Sequence, residues 1–194
     1  MILGMTALGE GRPTTWQRFT WGIAHTAGGG VGGLALALTA WVAGTPVRSL
    51  AGSIVAALCA GAVAVFAIAV DAGIIRWRDR TGQVDPYWRV RFGPGRAFFL
   101  YGIVFGFGWL TLKPSAVFYS VVALLGLMLP LPVALAAGAL VGVARTMLVY
   151  PLSFRATAAS TILSRGRFAS AAWHRAGAAV SIAALAAIAI SVLS

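Results

Sequence analysis

Carboxylates are nearly missing from this chain. Its 194 residues hold four Asp and Glu against fifteen Lys and Arg, and charged residues make up 10% of the total. A soluble domain of this length carries charge on about a quarter of its residues. The apolar fraction is 60% and the mean hydropathy +0.90, more apolar surface than a soluble fold can bury, so the composition points to a polytopic membrane protein. Cysteine is limited to Cys59, which excludes an internal disulfide, a dithiol redox pair and a Cys-rich metal site. Catalytic signatures are also lacking: there is no HExxH, no GxSxG and no paired carboxylate within an apolar run. No strand precedes the glycine clusters and no GK[ST] follows them, so they are not a phosphate-cradling loop. The chain is therefore expected not to be an enzyme, and no cofactor or metal is implied.

The net charge of +11 would suggest nucleic acid in a soluble protein. Here fourteen arginines and one lysine fall almost wholly between apolar runs, as membrane orientation demands, and no nucleic-acid partner is expected. Residues 1–18 lack the apolar core of a signal peptide, so the first apolar run is expected to stay as a span. The predicted fold is an all-α integral membrane domain over residues 1–194. Its five transmembrane helices lie at about 19–43, 48–71, 97–129, 133–151 and 172–193. Turns are expected at Gly44-Thr45-Pro46 and Pro130-Leu131-Pro132. The basic segments 72–96 and 152–171 are expected to face the cytoplasm and to meet anionic headgroups. Six arginines lie in the first of these and four in residues 152–175, against Arg48 alone in the short turns, which sets the N-terminus inside. The expected location is the inner (cytoplasmic) membrane, crossed several times.

The stretch from Phe98 to Leu129 is too long for one straight span and carries Lys113 and Pro114 near its middle. Treating it as two spans would leave each half short of the ~20 residues a crossing needs and would export the arginines of 152–172. One discontinuous helix is expected instead, broken at Lys113-Pro114. A shift of 80 residues lays Trp21-Gly22-Ile23 on Tyr101-Gly102-Ile103 and Gly28 on Gly108. That suggests a parallel two-helix repeat, in which Gly28, Gly29, Gly30, Gly32 and Gly33 form a second break opposite the first.

Lys113 has two readings. It snorkels to the interface, or it coordinates an anion beside the half-helix that begins at Ser115. Arg145, among small residues in the fourth span, and His25, just ahead of the glycines, are the other candidate contacts; the plainer readings are that Arg145 snorkels to the cytoplasmic interface and that His25 is a satisfied packing histidine, the latter expected first. Asp71 is the one carboxylate next to a span and a candidate partner for Arg145, although a surface salt bridge or a simple helix-end charge is the reading expected first. The pairs Gly28/Gly32, Gly29/Gly33, Gly102/Gly106 and Gly138/Gly142 have the spacing of closely packed membrane helices.

The run RAFFLYGIVFGFGW followed by proline resembles the membrane domain of the CcdA/DsbD-type thiol–disulfide electron carriers. The match covers about 25 residues. Pro114 is followed by Ser115 where the family has a cysteine, so the family's redox chemistry has no residues to map onto. The resemblance implies a helix-breaking architecture only. The wider chain resembles small Ala/Gly/Arg-rich membrane proteins of high-GC bacteria. Two functions fit the sequence. One is a small transporter or substrate-binding membrane subunit for an anionic solute, held by Lys113, Arg145, His25 and Ser115. The other is a non-catalytic membrane subunit that assembles or anchors a larger complex, as a homo-oligomer or with another membrane protein.

Overall fold

A computed structural model of the chain describes residues 14–75, 87–108 and 116–149, and the regular structure among them is entirely α-helical. Five helices follow in order: α1 Thr15–Asp71, α2 Trp88–Phe92, α3 Pro94–Phe107, α4 Val117–Leu127 and α5 Leu131–Val149. They do not correspond one to one with the five expected spans. Helix α1 covers the first two, α3 and α4 flank the expected break in the third, and α5 covers the fourth. Span 172–193 and the basic segment 152–171 lie outside the described residues, as do residues 76–86 of the other basic segment. Among the described helices, α1 is the one long and apolar enough to cross a membrane; α3, α4 and the Leu131–Met147 part of α5 are shorter apolar helices.

The chain does not turn at Gly44-Thr45-Pro46, which is helical throughout. Pro46 removes one backbone donor from α1 without ending it. The helical geometry fails six residues later, at Gly52, whose φ of 79° and ψ of 176° suit glycine and strain any residue with a Cβ. A Cβ there would meet nothing within 4 Å, so conformation and not crowding requires the glycine. The expected break at Gly28–Gly33 is likewise absent: α1 stays helical through all five glycines. In the third span the two flanking helices do stop and restart. Helix α3 ends at Phe107 with Gly108 as a left-handed C-cap (φ 72°), its N–H donating to the Val104 carbonyl at 3.1 Å, and α4 begins at Val117. Lys113, Pro114 and Ser115 lie between, outside the described residues. The two glycines aligned by the 80-residue shift thus behave differently, Gly28 within a helix and Gly108 at the end of one.

The chain divides into two compact units. Of the described residues the first takes 14–36, 87–108 and 136–149, and the second takes 37–75 and 116–135. In the first unit Gly28 and Gly32 of α1 meet Phe99, Ile103 and Phe107 of α3 in rising order, so these helices run parallel. Gly29 meets Gly142 and Thr146 of α5 while Gly33 meets Gly138, so α5 runs antiparallel to α1.

In the second unit both sides of the Gly52 bend pack on α4. Ala40 and Gly44 meet Gly126, and Ala57 and Ala60 pack against Ala123, Leu124, Leu127 and Met128. In a straight helix Gly44 and Ala60 would stand roughly 24 Å apart. Their common contact with one short stretch of α4 requires the fold-back that Gly52 supplies.

The distribution of side chains is inverted relative to a soluble protein. The buried positions of α1 are mostly alanines and glycines, with Ala37, Ala56, Ala57, Ala60, Ala64 and Ala67 among the alanines. Many large aliphatic residues point outward, Leu50 at 86% exposed, Leu58 at 67% and Leu140 at 69%, while Leu36 and Leu125 are buried. Val31, Leu34, Leu38 and Val42 recur at helical spacing along one outward face of α1.

Candidate functional site

The candidate residues that fall among the described ones lie in the first unit. His25 is buried one turn before the glycines, and its Nδ1–H donates to the Phe98 carbonyl at 3.1 Å. A carbonyl oxygen can only accept, which fixes the proton on Nδ1. The ring is held edge-on by Phe98 and Phe105, at centroid distances of 6.4 and 6.0 Å, and Trp21 stacks on Phe98 at 5.3 Å. His25 thus ties α1 to α3 in an aromatic setting.

The glycines beyond it are filled by neighbouring backbone. A Cβ on Gly28 would stand 3.0 Å from the Ile103 nitrogen and closer still to the Phe99 carbonyl oxygen. One on Gly32 would stand 2.6 Å from the Phe107 nitrogen, and one on Gly33 would strike the Gly138 carbonyl. One on Gly29 would be 2.7 Å from the Gly142 oxygen and would press on the Thr146 side chain. Gly30 is looser, 3.4 Å from a Val143 methyl. Gly102, Gly106 and Gly142 return the contact from the other side, against His25 and Gly29. Small residues let membrane helices approach until backbones touch, and these positions do that on both sides of α1. No wall of a solute chamber is left at the glycine cluster.

Thr146 is fully buried, its hydroxyl donating to the Gly142 and Val143 carbonyls at 3.0 and 2.9 Å. Its contact with Gly29, about fourteen residues and roughly 20 Å into α1, sets the level of its α5 neighbour Arg145, which is half-buried. His25, the five glycines and Arg145 therefore share one unit, with Gly108 at its α3 terminus. Lys113, Pro114 and Ser115 lie outside the described residues.

Two polar junctions in the second unit join partners that the sequence does not pair. Arg48, expected in an external turn, lies within α1 and reaches back along it. Its guanidinium donates to the Trp41 carbonyl at 2.8 Å, to the Thr45 hydroxyl at 2.9 Å and to the Gly126 carbonyl near the end of α4. It also stands 4.4 Å above the Trp41 ring. The spacing Trp41, Thr45, Arg48 puts all three on one helix face, a signal readable once the helix is known to continue.

Asp71, at the end of α1, accepts the Ala116 N–H at 2.8 Å. That bond satisfies a backbone donor at the start of α4 and sets a carboxylate against the positive end of its dipole. Asp71 is buried, so it is a helix cap and not a surface charge.

No protein-family model, no curated protein sequence and no solved structure matches this chain.

Proposed function

We propose that the chain is a non-catalytic, multi-pass subunit of the inner (cytoplasmic) membrane, N-terminus inside, that assembles or anchors a larger membrane complex. The observation that carries this reading is the inverted side-chain distribution. Alanine and glycine fill the helix contacts while Leu50, Leu58, Val65 and Leu140 face outward. In water such a surface would aggregate, whereas in lipid it costs nothing and backbone-to-backbone packing holds the helices together.

The helix directions agree with the crossing order that the arginines suggest: α3 parallel to α1, α5 antiparallel to it. Gly52 turns α1 into two arms: 53–71 is roughly 28 Å long and close to the ~30 Å hydrocarbon layer, and 15–51, roughly 55 Å long, extends past it. Helices α3 and α4, of 14 and 11 residues, each fall short of that thickness. The outward aliphatic face of α1 is available to lipid or to another apolar helix.

The test has two steps. Alkaline carbonate should leave the full chain in the membrane pellet, and native mass spectrometry from lipid nanodiscs should report a defined oligomer or a stoichiometric membrane partner. A chain that carbonate extracts, or one that is monomeric and binds a small solute, overturns the proposal.

One observation favours the second reading, transport of an anionic solute. Arg145 is half-buried deep along α5, at the level of Gly29, and a charge at membrane depth commonly marks a pathway or a binding site. On that reading Arg145 and Lys113 attract the solute. Uptake by reconstituted vesicles, lost in Arg145→Ala and in Lys113→Met, would establish it in place of the first.

A further inference from the structure

The parallel packing of α1 and α3 brings their first turns to the same end of the first unit. Trp21 stacks on Phe98 there, and His25 is bonded to the Phe98 carbonyl one turn further in. Helix α2 folds back onto this end, because Trp88 stacks on Tyr101 at 5.6 Å and packs against the Ala97–Tyr101 cluster. The end so formed exposes two kinds of side chain together. Arg18, Arg91 and Arg96 are exposed, and so are Trp16, Phe19 and Val90 beside them. The described residues of this unit hold five arginines and no Asp or Glu, and neither α1 nor α3 has an acidic residue in its first turn.

We propose that this end of the first unit is a binding surface for anionic phospholipid headgroups of the surrounding bilayer. The arginines supply charge and bidentate donors that match a phosphodiester. The two parallel helices point their positive ends the same way and add to the field. The interleaved apolar residues distinguish a lipid from a dissolved anion. Trp16, Phe19 and Val90 have apolar surface to sink at the headgroup–acyl boundary, where aromatic residues concentrate, and a free phosphate ion would use none of it. Trp88 is already committed to Tyr101, so it holds α2 in position, and Arg91 is exposed three residues further on.

This inference rests on the chain being embedded in a membrane and goes beyond it by naming the lipid class. The test uses the full chain in nanodiscs of mixed phosphatidylglycerol and phosphatidylcholine, with the lipids retained on release into an uncharged detergent counted by native mass spectrometry. Each arginine near an anionic surface is worth about a five-fold preference. Wild type should therefore enrich phosphatidylglycerol several-fold, and the Arg91→Gln/Arg96→Gln double variant should bring retention close to parity. Should that variant fail to fold, salt carries the test on wild type alone: about 500 mM NaCl should erase most of the enrichment. Equal retention of the two lipids overturns the proposal, as does enrichment unaffected by both the variant and salt. Displacement of phosphatidylglycerol by millimolar inorganic phosphate overturns the assignment to lipid. A chain extracted by carbonate loses the membrane reading as well, whereas an embedded chain without lipid preference loses only this one.

Discussion

Replacing Gly102 by alanine tests the central claim about the glycines, that they are helix contacts and not the lining of a chamber. The added Cβ would stand 2.9 Å from the Gly29 nitrogen and 2.9 Å from the His25 carbonyl carbon, and closer to the His25 oxygen. Carbon atoms rest at about 3.5–4.0 Å, so α3 must retreat from α1 by close to 1 Å. None of the atoms met is a side chain that can swing aside. Overpacking of this kind costs about 1–3 kcal/mol, and removing a helical glycine returns at most about 1 kcal/mol. The clash wins, with a net loss of about 1–2 kcal/mol.

For a chain of this size 1 kcal/mol moves the melting temperature by about 2–4 °C, so Gly102→Ala should melt roughly 5 °C below wild type. The assay is thermal unfolding of the purified protein in one detergent, followed by tryptophan fluorescence. Gly95→Ala is the control: it lies in the first turn of the same helix, and a Cβ there meets nothing within 4 Å, so its melting temperature should not fall. If Gly102→Ala melts with or above wild type, α1 and α3 are not in backbone contact and the reasoning fails. If both variants fall equally, the loss reports glycine chemistry in general and not this contact.

Three further substitutions address other parts of the fold by the same melting assay. Asp71→Ala should destabilise by about 1–2 kcal/mol, because it leaves the Ala116 N–H unsatisfied at the buried start of α4, while Asp71→Asn keeps an acceptor and should lose less; equal losses would show that the cap is not the reason. Gly52→Ala should cost about 1–2 kcal/mol through left-handed strain alone, since nothing crowds the site; a neutral result would mean that α1 does not bend there. Arg48→Lys should melt below wild type, because an ammonium cannot serve the Gly126 and Trp41 carbonyls and the Thr45 hydroxyl with a planar fork; lysine behaving like arginine would reduce Arg48 to a simple charge.

The helical class was legible because apolar runs of this length admit little else. The small-xxx-small spacing of Gly28/Gly32 and Gly102/Gly106 already put those glycines on single helix faces. What composition hid was where α1 bends. Gly44-Thr45-Pro46 has the residues of a turn, yet a lone proline takes only one hydrogen bond from a long helix, and the Trp41–Thr45–Arg48 junction holds that stretch in place. Gly52, between Ala51 and Ser53, carries no comparable signal, since its role lies in a dihedral angle and a glycine within an apolar run reads equally well as packing. The Asp71 cap escaped for a different reason. Its partner is a backbone N–H 45 residues away, and an alanine advertises nothing in the sequence.

The same distinction bears on the choice between assembly and transport. A solute chamber between α1 and α3 needed the glycines to break α1 and expose backbone donors and acceptors. The helix instead continues, its glycines meeting α3 on one side and α5 on the other, so those groups remain in the helical ladder and the space is filled by backbone. His25 turns its Nδ1 proton to Phe98 and serves the same junction. Of the candidate contacts among the described residues only Arg145 carries a fixed charge, and it stands next to Thr146 in the closed Gly29–Thr146 contact. Transport would therefore require the α1–α3 contact to open. A substitution that tightens it would then slow uptake while raising the melting temperature, whereas an assembly subunit would gain stability at no cost to its complex.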